Sequence, residues 1–191
     1  MIHYKEYFNK KLNREWITFV HGAGGSSAIW KKQIPFFSKA FNLLLVDLSG
    51  HGYSTTESNQ KLNNKISFES ILNDVLEVLD KLNIKKSHFI GISLGTVIIN
   101  QLVLKEPNRI LKMVLGGATL ELNFMSRFMM YFAYATKSIV PYMWLYQLYA
   151  FIVMPSKTDK ESRKLFIKEA KRMNPKAVSY THLTLPTNHP V

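Results

Sequence analysis

The chain of 191 residues contains no cysteine. That excludes a disulfide framework, a thiolate zinc site and a cysteine nucleophile, and it fits a reducing compartment. The N-terminal segment Met1-Ile2-His3-Tyr4-Lys5-Glu6-Tyr7-Phe8 lacks the apolar core of a signal peptide, so a cytoplasmic location is expected. Acidic residues are few: 13 against 25 lysines and arginines, for a net charge of +12. No nucleic-acid-binding signature accompanies that charge, so no nucleic-acid partner is expected. The lysines are read as spread over solvated faces. The densest cationic stretch, Lys157 to Lys176, is mixed with Asp159, Glu161 and Glu169, as on an exposed helix.

A hydrophobic content of 47% is ample for a packed core, and the length suits one domain, with or without an insertion. Trp16 to Val20 is a β-branched and aromatic run stopped by His21-Gly22. Asn42 to Leu48 is a continuous apolar run stopped by Ser49-Gly50. Such runs suit parallel strands buried on both faces. Ala28 to Ala40 reads as a helix interrupted at Pro35. Ser67 to Leu82 reads as a clearer one: Ile71, Leu72, Val75, Leu76, Val78, Leu79 and Leu82 recur at helical spacing behind Ser67 as N-cap. Ser87 to Ile92 is the next strand, Leu94 to Lys105 the next helix, and Ile110 to Leu115 another strand. This alternation predicts an α/β fold with a mostly parallel sheet.

Composition changes at Glu121. From there to Pro155 the chain is dense in aromatics and methionine, and Pro141 divides the stretch into two helices. Ser138 to Ser156 carries no charge and approaches the length of a membrane span, but Pro141, Gln147 and the tyrosines dilute it. Burial of this stretch against the core, as a helical lid with an apolar inner face, is the expected outcome. A membrane surface is the less favoured partner.

The chemistry concentrates at Gly91-Ile92-Ser93-Leu94-Gly95, a G-x-S-x-G motif between a strand and a helix. Serine becomes a nucleophile when held exposed and given a base. The strand-to-helix turn supplies the exposure, at the cost of a backbone conformation unfavourable for a residue with Cβ. The helix that follows brings N–H groups and its positive dipole end, so the Leu94 N–H can donate to an oxyanion. His21-Gly22-Ala23-Gly24-Gly25 follows an earlier strand, and its Ala23 N–H is the candidate second donor. This loop lacks the spacing and the lysine of a phosphate-binding loop. Asp47-Leu48-Ser49-Gly50-His51-Gly52-Tyr53-Ser54 closes the next strand.

Taken together, His21-Gly22, the D-x-x-G-x-G-x-S segment from Asp47 to Ser54 and Gly91 to Gly95 resemble the α/β-hydrolase superfamily, in its lid-bearing serine hydrolase and esterase branch. The resemblance covers roughly Ile2 to Met154. It implies that Ser93 is the nucleophile, that Ala23 and Leu94 supply oxyanion N–H groups, and that His21 and His51 are structural. It implies a hydrolase cleaving a small apolar ester or related carbonyl through an acyl-enzyme, of the carboxylic-ester type, without cofactor or metal. A non-catalytic binding or membrane-associated protein of the same fold is the alternative. The division expected is a core over 1–120, a helical lid over 121–177 and a non-native tail over 178–191.

The family order is serine, acid, histidine. His3 and His88 are read as terminal and packing residues, and Asp47 and Asp74 precede the serine. The resemblance therefore implies further strands carrying the acid and the histidine, both absent from this chain. Val178 to Thr187 resembles a translated sequencing adapter, so His182 and His189 are not taken as the base. The expectation is a C-terminally truncated, inactive fragment that expresses poorly. It should hydrolyse activated esters no faster than its Ser93→Ala variant.

Overall fold

A computed structural model describes residues 1–8, 13–54, 67–118 and 141–172. Five strands form one sheet: β1 (Tyr4–Tyr7), β2 (Trp16–Val20), β3 (Asn42–Val46), β4 (Ser87–Ile92) and β5 (Ile110–Gly116). Their order across the sheet is β1-β3-β2-β4-β5. β2 pairs in parallel with β3 and with β4, and β4 in parallel with β5, while β1 alone runs antiparallel, against β3. The fold is α/β with a mostly parallel sheet, as the alternation predicts.

The central strands are buried as continuous apolar runs should be. Leu43, Leu44, Leu45 and Val46 of β3 are fully buried, each contributing about 1.5–3 kcal/mol. One face packs Phe19, Leu43 and Leu45 against Trp30. The other packs Leu44, Val46 and Phe89 against α2 (Phe68–Lys81) and α3 (Leu94–Lys105). α2 follows the predicted pattern, with Ile71, Leu72, Val75, Val78 and Leu79 buried. Its capping box joins Ser67 and Ser70: Ser70 N–H donates to Ser67 Oγ at 3.1 Å, and Ser67 N–H to Ser70 Oγ at 2.9 Å.

Two elements differ from the sequence reading. The helix expected over Ala28 to Ala40 is instead a 3₁₀ turn, Ser27–Trp30, and a single α turn, α1 (Ile34–Phe37). Proline has no N–H to donate, so Pro35 fits the first turn of a new helix better than the middle of an old one. β1 was not anticipated, because Tyr4-Lys5-Glu6-Tyr7 has no apolar run; it is an outer strand, half-buried only at Tyr4.

Segment 141–172 forms α4 (Tyr142–Val153) and α5 (Lys160–Ala170). α4 begins just after Pro141, as expected. Burial against the core is met on one line only: Tyr146 and Ala150 are buried, whereas most of α4 faces outward. The first expected lid helix and the tail from 178 lie outside the described residues.

Candidate active site

The chain leaves β2 toward β3 on one side, then crosses to β4 on the other. The carboxyl ends of β2 and β4 are therefore neighbours at a topological switch point, where open α/β sheets form their binding crevice. His21-Gly22-Ala23 follows β2 and Ser93 follows β4, so the fold brings the two motifs together.

Ser93 is half-buried and has φ 51° and ψ −115°, a left-handed conformation that a residue with Cβ adopts at a cost of about 1–3 kcal/mol. Hydrogen bonds on both sides of the residue fix the turn. Ser93 N–H donates to Gly116 O at 3.0 Å, and Ser93 O accepts from Thr96 N–H at 2.8 Å. Leu94 is the first residue of α3, so its N–H has no partner within the helix and points out of the helix start. The flanking glycines are needed for room. A Cβ at Gly95 would stand 2.2 Å from Val20 O, and one at Gly91 2.5 Å from Ile99 Cδ1 and 2.9 Å from Gly95 C.

The loop after β2 touches the serine directly: a Cβ on Gly22 would lie 3.2 Å from Ser93 Cβ. Gly25 N–H closes a turn on Gly22 O at 3.0 Å, with Ala23 inside that turn. The segment Asp47 to Ser54 holds this loop in place. Asp47 is fully buried and accepts from Ser27 N–H at 2.6 Å, from Tyr53 N–H at 3.0 Å and from His3 Nδ1 at 3.0 Å. Burial alone would raise its pKa. The Ser27 and Tyr53 donors outweigh burial and hold the carboxyl below its ordinary 3.8.

Four histidines are described, and none is hydrogen-bonded to Ser93. His21 is buried. Its Nδ1–H donates to Gly22 O at 2.7 Å and its Nε2 accepts from Leu48 N–H at 3.0 Å, which fixes the neutral tautomer. His51 is buried 5.3 Å from it, ring to ring, with Nδ1 at 3.0 Å from Ser49 O. His3 is on Asp47. His88 bonds Glu15 at 3.0 Å, five residues and about 16 Å back along β4 from the serine. His182 and His189 lie outside the described residues. A groove of about 430 Å³ lined by Tyr7, Arg14, Phe41 and Asn42 lies near the amino ends of β2 and β3, away from Ser93.

Burial lowers the His21 pKa from 6.5, more than its bond to Gly22 raises it. Below 6.5 the unfolded chain takes up a proton that the folded chain refuses, so stability falls as pH drops from 6.5 toward the depressed native value, by up to about 1.4 kcal/mol per unit. Urea midpoints at about pH 7.5 and 5.5 should differ less in His21→Gln than in the wild type. Equal differences in the two proteins would remove His21 as the source.

The sequence reading missed three contacts that join segment 141–172 to this loop. A Cβ on Gly24 would stand 2.4 Å from Tyr146 Cε1, so the Tyr146 ring lies against the loop. Ser26 Oγ–H donates to buried Glu169 Oε2 at 2.6 Å. Arg172 stacks over Tyr53 at 4.6 Å and donates to its hydroxyl at 3.1 Å. Glu169 carried no signal beyond its place on a charged helix.

The family described as alpha/beta hydrolase fold matches residues 15–150. The chain is 34% identical over 87 residues to 3-oxoadipate enol-lactonase 1 of Acinetobacter baylyi, covering 46% of this chain and 30% of that protein. It spans less than half the length of the curated relatives it matches first. A hydrolase from Oleispira antarctica superposes with a TM-score of 0.78 at 17% identity, over 95% of this chain and 67% of that one. The enol-lactonase from Burkholderia xenovorans LB400 superposes with a TM-score of 0.70 at 21% identity, over 96% of this chain and 70% of that one. At these identities the superpositions establish the fold.

Proposed function

Because the chain belongs to the alpha/beta hydrolase fold family, we propose that it is the nucleophile-bearing part of a serine hydrolase acting on a small apolar ester or related carbonyl compound. The observation that carries this reading is the backbone of Ser93, held at φ 51° and ψ −115° where β4 turns into α3. A strained serine at a switch-point crevice, beside a glycine-rich loop, has no packing purpose that a glycine would not serve better.

Ser93 Oγ attacks the carbonyl carbon, and the tetrahedral oxyanion accepts from the Ala23 and Leu94 N–H groups. Such a donor is worth about 10²–10³ in turnover. Collapse breaks the bond to the leaving alkoxide oxygen, which takes up a proton, and leaves an acyl group on Ser93. Water then attacks the acyl carbon and releases the acid. A histidine of the full-length protein, none of the six in the 191 residues, accepts the Ser93 proton and returns it to the leaving oxygen. His21 is unsuited, since both its nitrogens are engaged. The lactonase name of one relative, a lactone being a cyclic ester, supports the substrate class. The Tyr146 ring over Gly24 supports an apolar wall beside the oxyanion loop.

The test is covalent. A fluorophosphonate probe applied to the full-length protein should add one adduct, located by mass spectrometry on the peptide containing Ser93. Adducts elsewhere, or none after prolonged exposure of folded protein, would end this assignment.

A further inference from the structure

The turn that carries Ala23 is poorly suited to hold its own shape. Three of its four residues, Gly22, Gly24 and Gly25, are glycine, and glycine has the widest backbone freedom. Gly24 sits at φ +74°, the third position of a turn closed by Gly25 N–H on Gly22 O. A donor serves a transition state only when it is held to within about 0.5 Å of the productive place. Such a loop needs support from outside itself.

α5 supplies it. Phe166, Glu169 and Ala170 share one face of this helix, three and four residues apart. Phe166 packs on Tyr146 of α4, ring to ring at 5.8 Å, and a Cβ on Gly24 would collide with that Tyr146 ring. Glu169 is 3% exposed, and its Oε2 accepts from Ser26 Oγ–H at 2.6 Å. Ser26 Oγ in turn accepts from Ala28 N–H at 3.1 Å, so the carboxylate orients the hydroxyl that caps the 3₁₀ turn after the loop. A second route starts from the same helix. Arg172, 3.6 Å from Glu169 Oε1, donates to the Tyr53 hydroxyl at 3.1 Å. Tyr53 N–H is on one oxygen of Asp47, and Ser27 N–H is on the other. Both routes end at Ser26-Ser27, directly after the glycines.

A buried carboxylate is a costly way to dock a helix, and an apolar side chain of similar size often serves stability as well. What the carboxylate adds is an acceptor at one fixed point, hence a register between α5 and the loop. We propose that Glu169 is a positioning residue for the oxyanion loop. Through Ser26, and with Tyr146 lying on Gly24, it holds the turn Gly22 to Gly25 in one place and so fixes the Ala23 N–H. The effect on catalysis rests on the reading of Ser93 as nucleophile and Ala23 as donor; the holding of the loop does not.

The test has two readouts on the full-length protein. Amide hydrogen exchange read by mass spectrometry follows the loop without any chemistry. Peptides covering residues 21–27 should exchange about tenfold faster in Glu169→Ala and in Tyr146→Ala. Glu169→Gln keeps an acceptor for Ser26 and should exchange as the wild type does. Hydrolysis of an activated ester follows the donor. A misplaced donor weakens the transition state alone, so Glu169→Ala should lower kcat about 10- to 100-fold with KM little changed. Glu169→Gln should restore kcat to within about threefold. Ser26→Ala should lose at least as much as Glu169→Ala, and adding Glu169→Ala to it should cost nothing more. Glu161→Ala, on the exposed side of α5, should match the wild type in both readouts. If Glu169→Ala does not fold, Ser26→Ala and Tyr146→Ala carry both readouts. Unchanged exchange over 21–27 overturns the proposal, as does lost stability with kcat per folded molecule unchanged, or additive losses from Ser26 and Glu169. Wild-type protein that a fluorophosphonate fails to label at Ser93 ends the serine reading instead, and exchange alone then decides whether Glu169 holds the loop.

Discussion

Ser93→Ala should lower kcat/KM of the full-length protein for an activated ester by about 10⁶-fold, the scale of losing a nucleophile that works as one unit with its base. The Ala23 and Leu94 N–H groups would survive the substitution, so a weak residual rate above water is expected. Stability should move the opposite way in a second variant. At φ 51° serine is strained and glycine is not. Ser93→Gly should therefore be inactive yet more stable, by about 1 kcal/mol. Chemical denaturation of the 191-residue chain measures this directly. Ser93→Gly less stable than Ser93→Ala would mean that the turn is not strained, and the main support for a nucleophile at this position would go.

The central sheet and the place of Ser93 were legible because they rest on patterns that neighbouring residues carry. Continuous apolar runs gave β2 and β3, a seven-residue apolar face with Ser67 before it gave α2, and G-x-S-x-G gave the turn between β4 and α3. What was not legible depends on tertiary partners. β1 is a strand because β3 offers it an edge, not because of its own composition. Asp47 looked like an acid closing a strand. Its three hydrogen bonds, to Ser27, Tyr53 and His3, come from three different segments and could not be read from spacing. Glu169 and Ser26 are 143 positions apart, and nothing local to either announces their bond. The outward face of α4 is not legible for a related reason. An uncharged, aromatic-rich helix reads as buried from sequence, and only the packing of Tyr146 and Ala150 shows that a single line of it is used.

Gly95→Ala should be the most damaging small substitution in the fold. The added carbon would sit 2.2 Å from Val20 O, 2.9 Å from Val20 C and 3.0 Å from His21 O. All three are main-chain atoms at the end of a central strand, so no side chain can rotate away. Overpacking a core costs about 1–3 kcal/mol when side chains can yield, and more when backbone must move, so about 3 kcal/mol or more is expected here. A suitable control is Gly117→Ala. Gly117 has φ +59° and nothing within 4 Å of an added Cβ, so only the conformational cost of about 1–2 kcal/mol applies. Urea midpoints of the two variants separate crowding from conformation, and equal losses would show that the close approach at Gly95 does not matter. The same contact ties stability to chemistry. Val20 and His21 lead into Gly22, which abuts Ser93, so relief of the clash by moving α3 away from β2 must also move Leu94 N–H away from Ala23 N–H. Gly95→Ala should therefore lose probe labelling even in the fraction that remains folded.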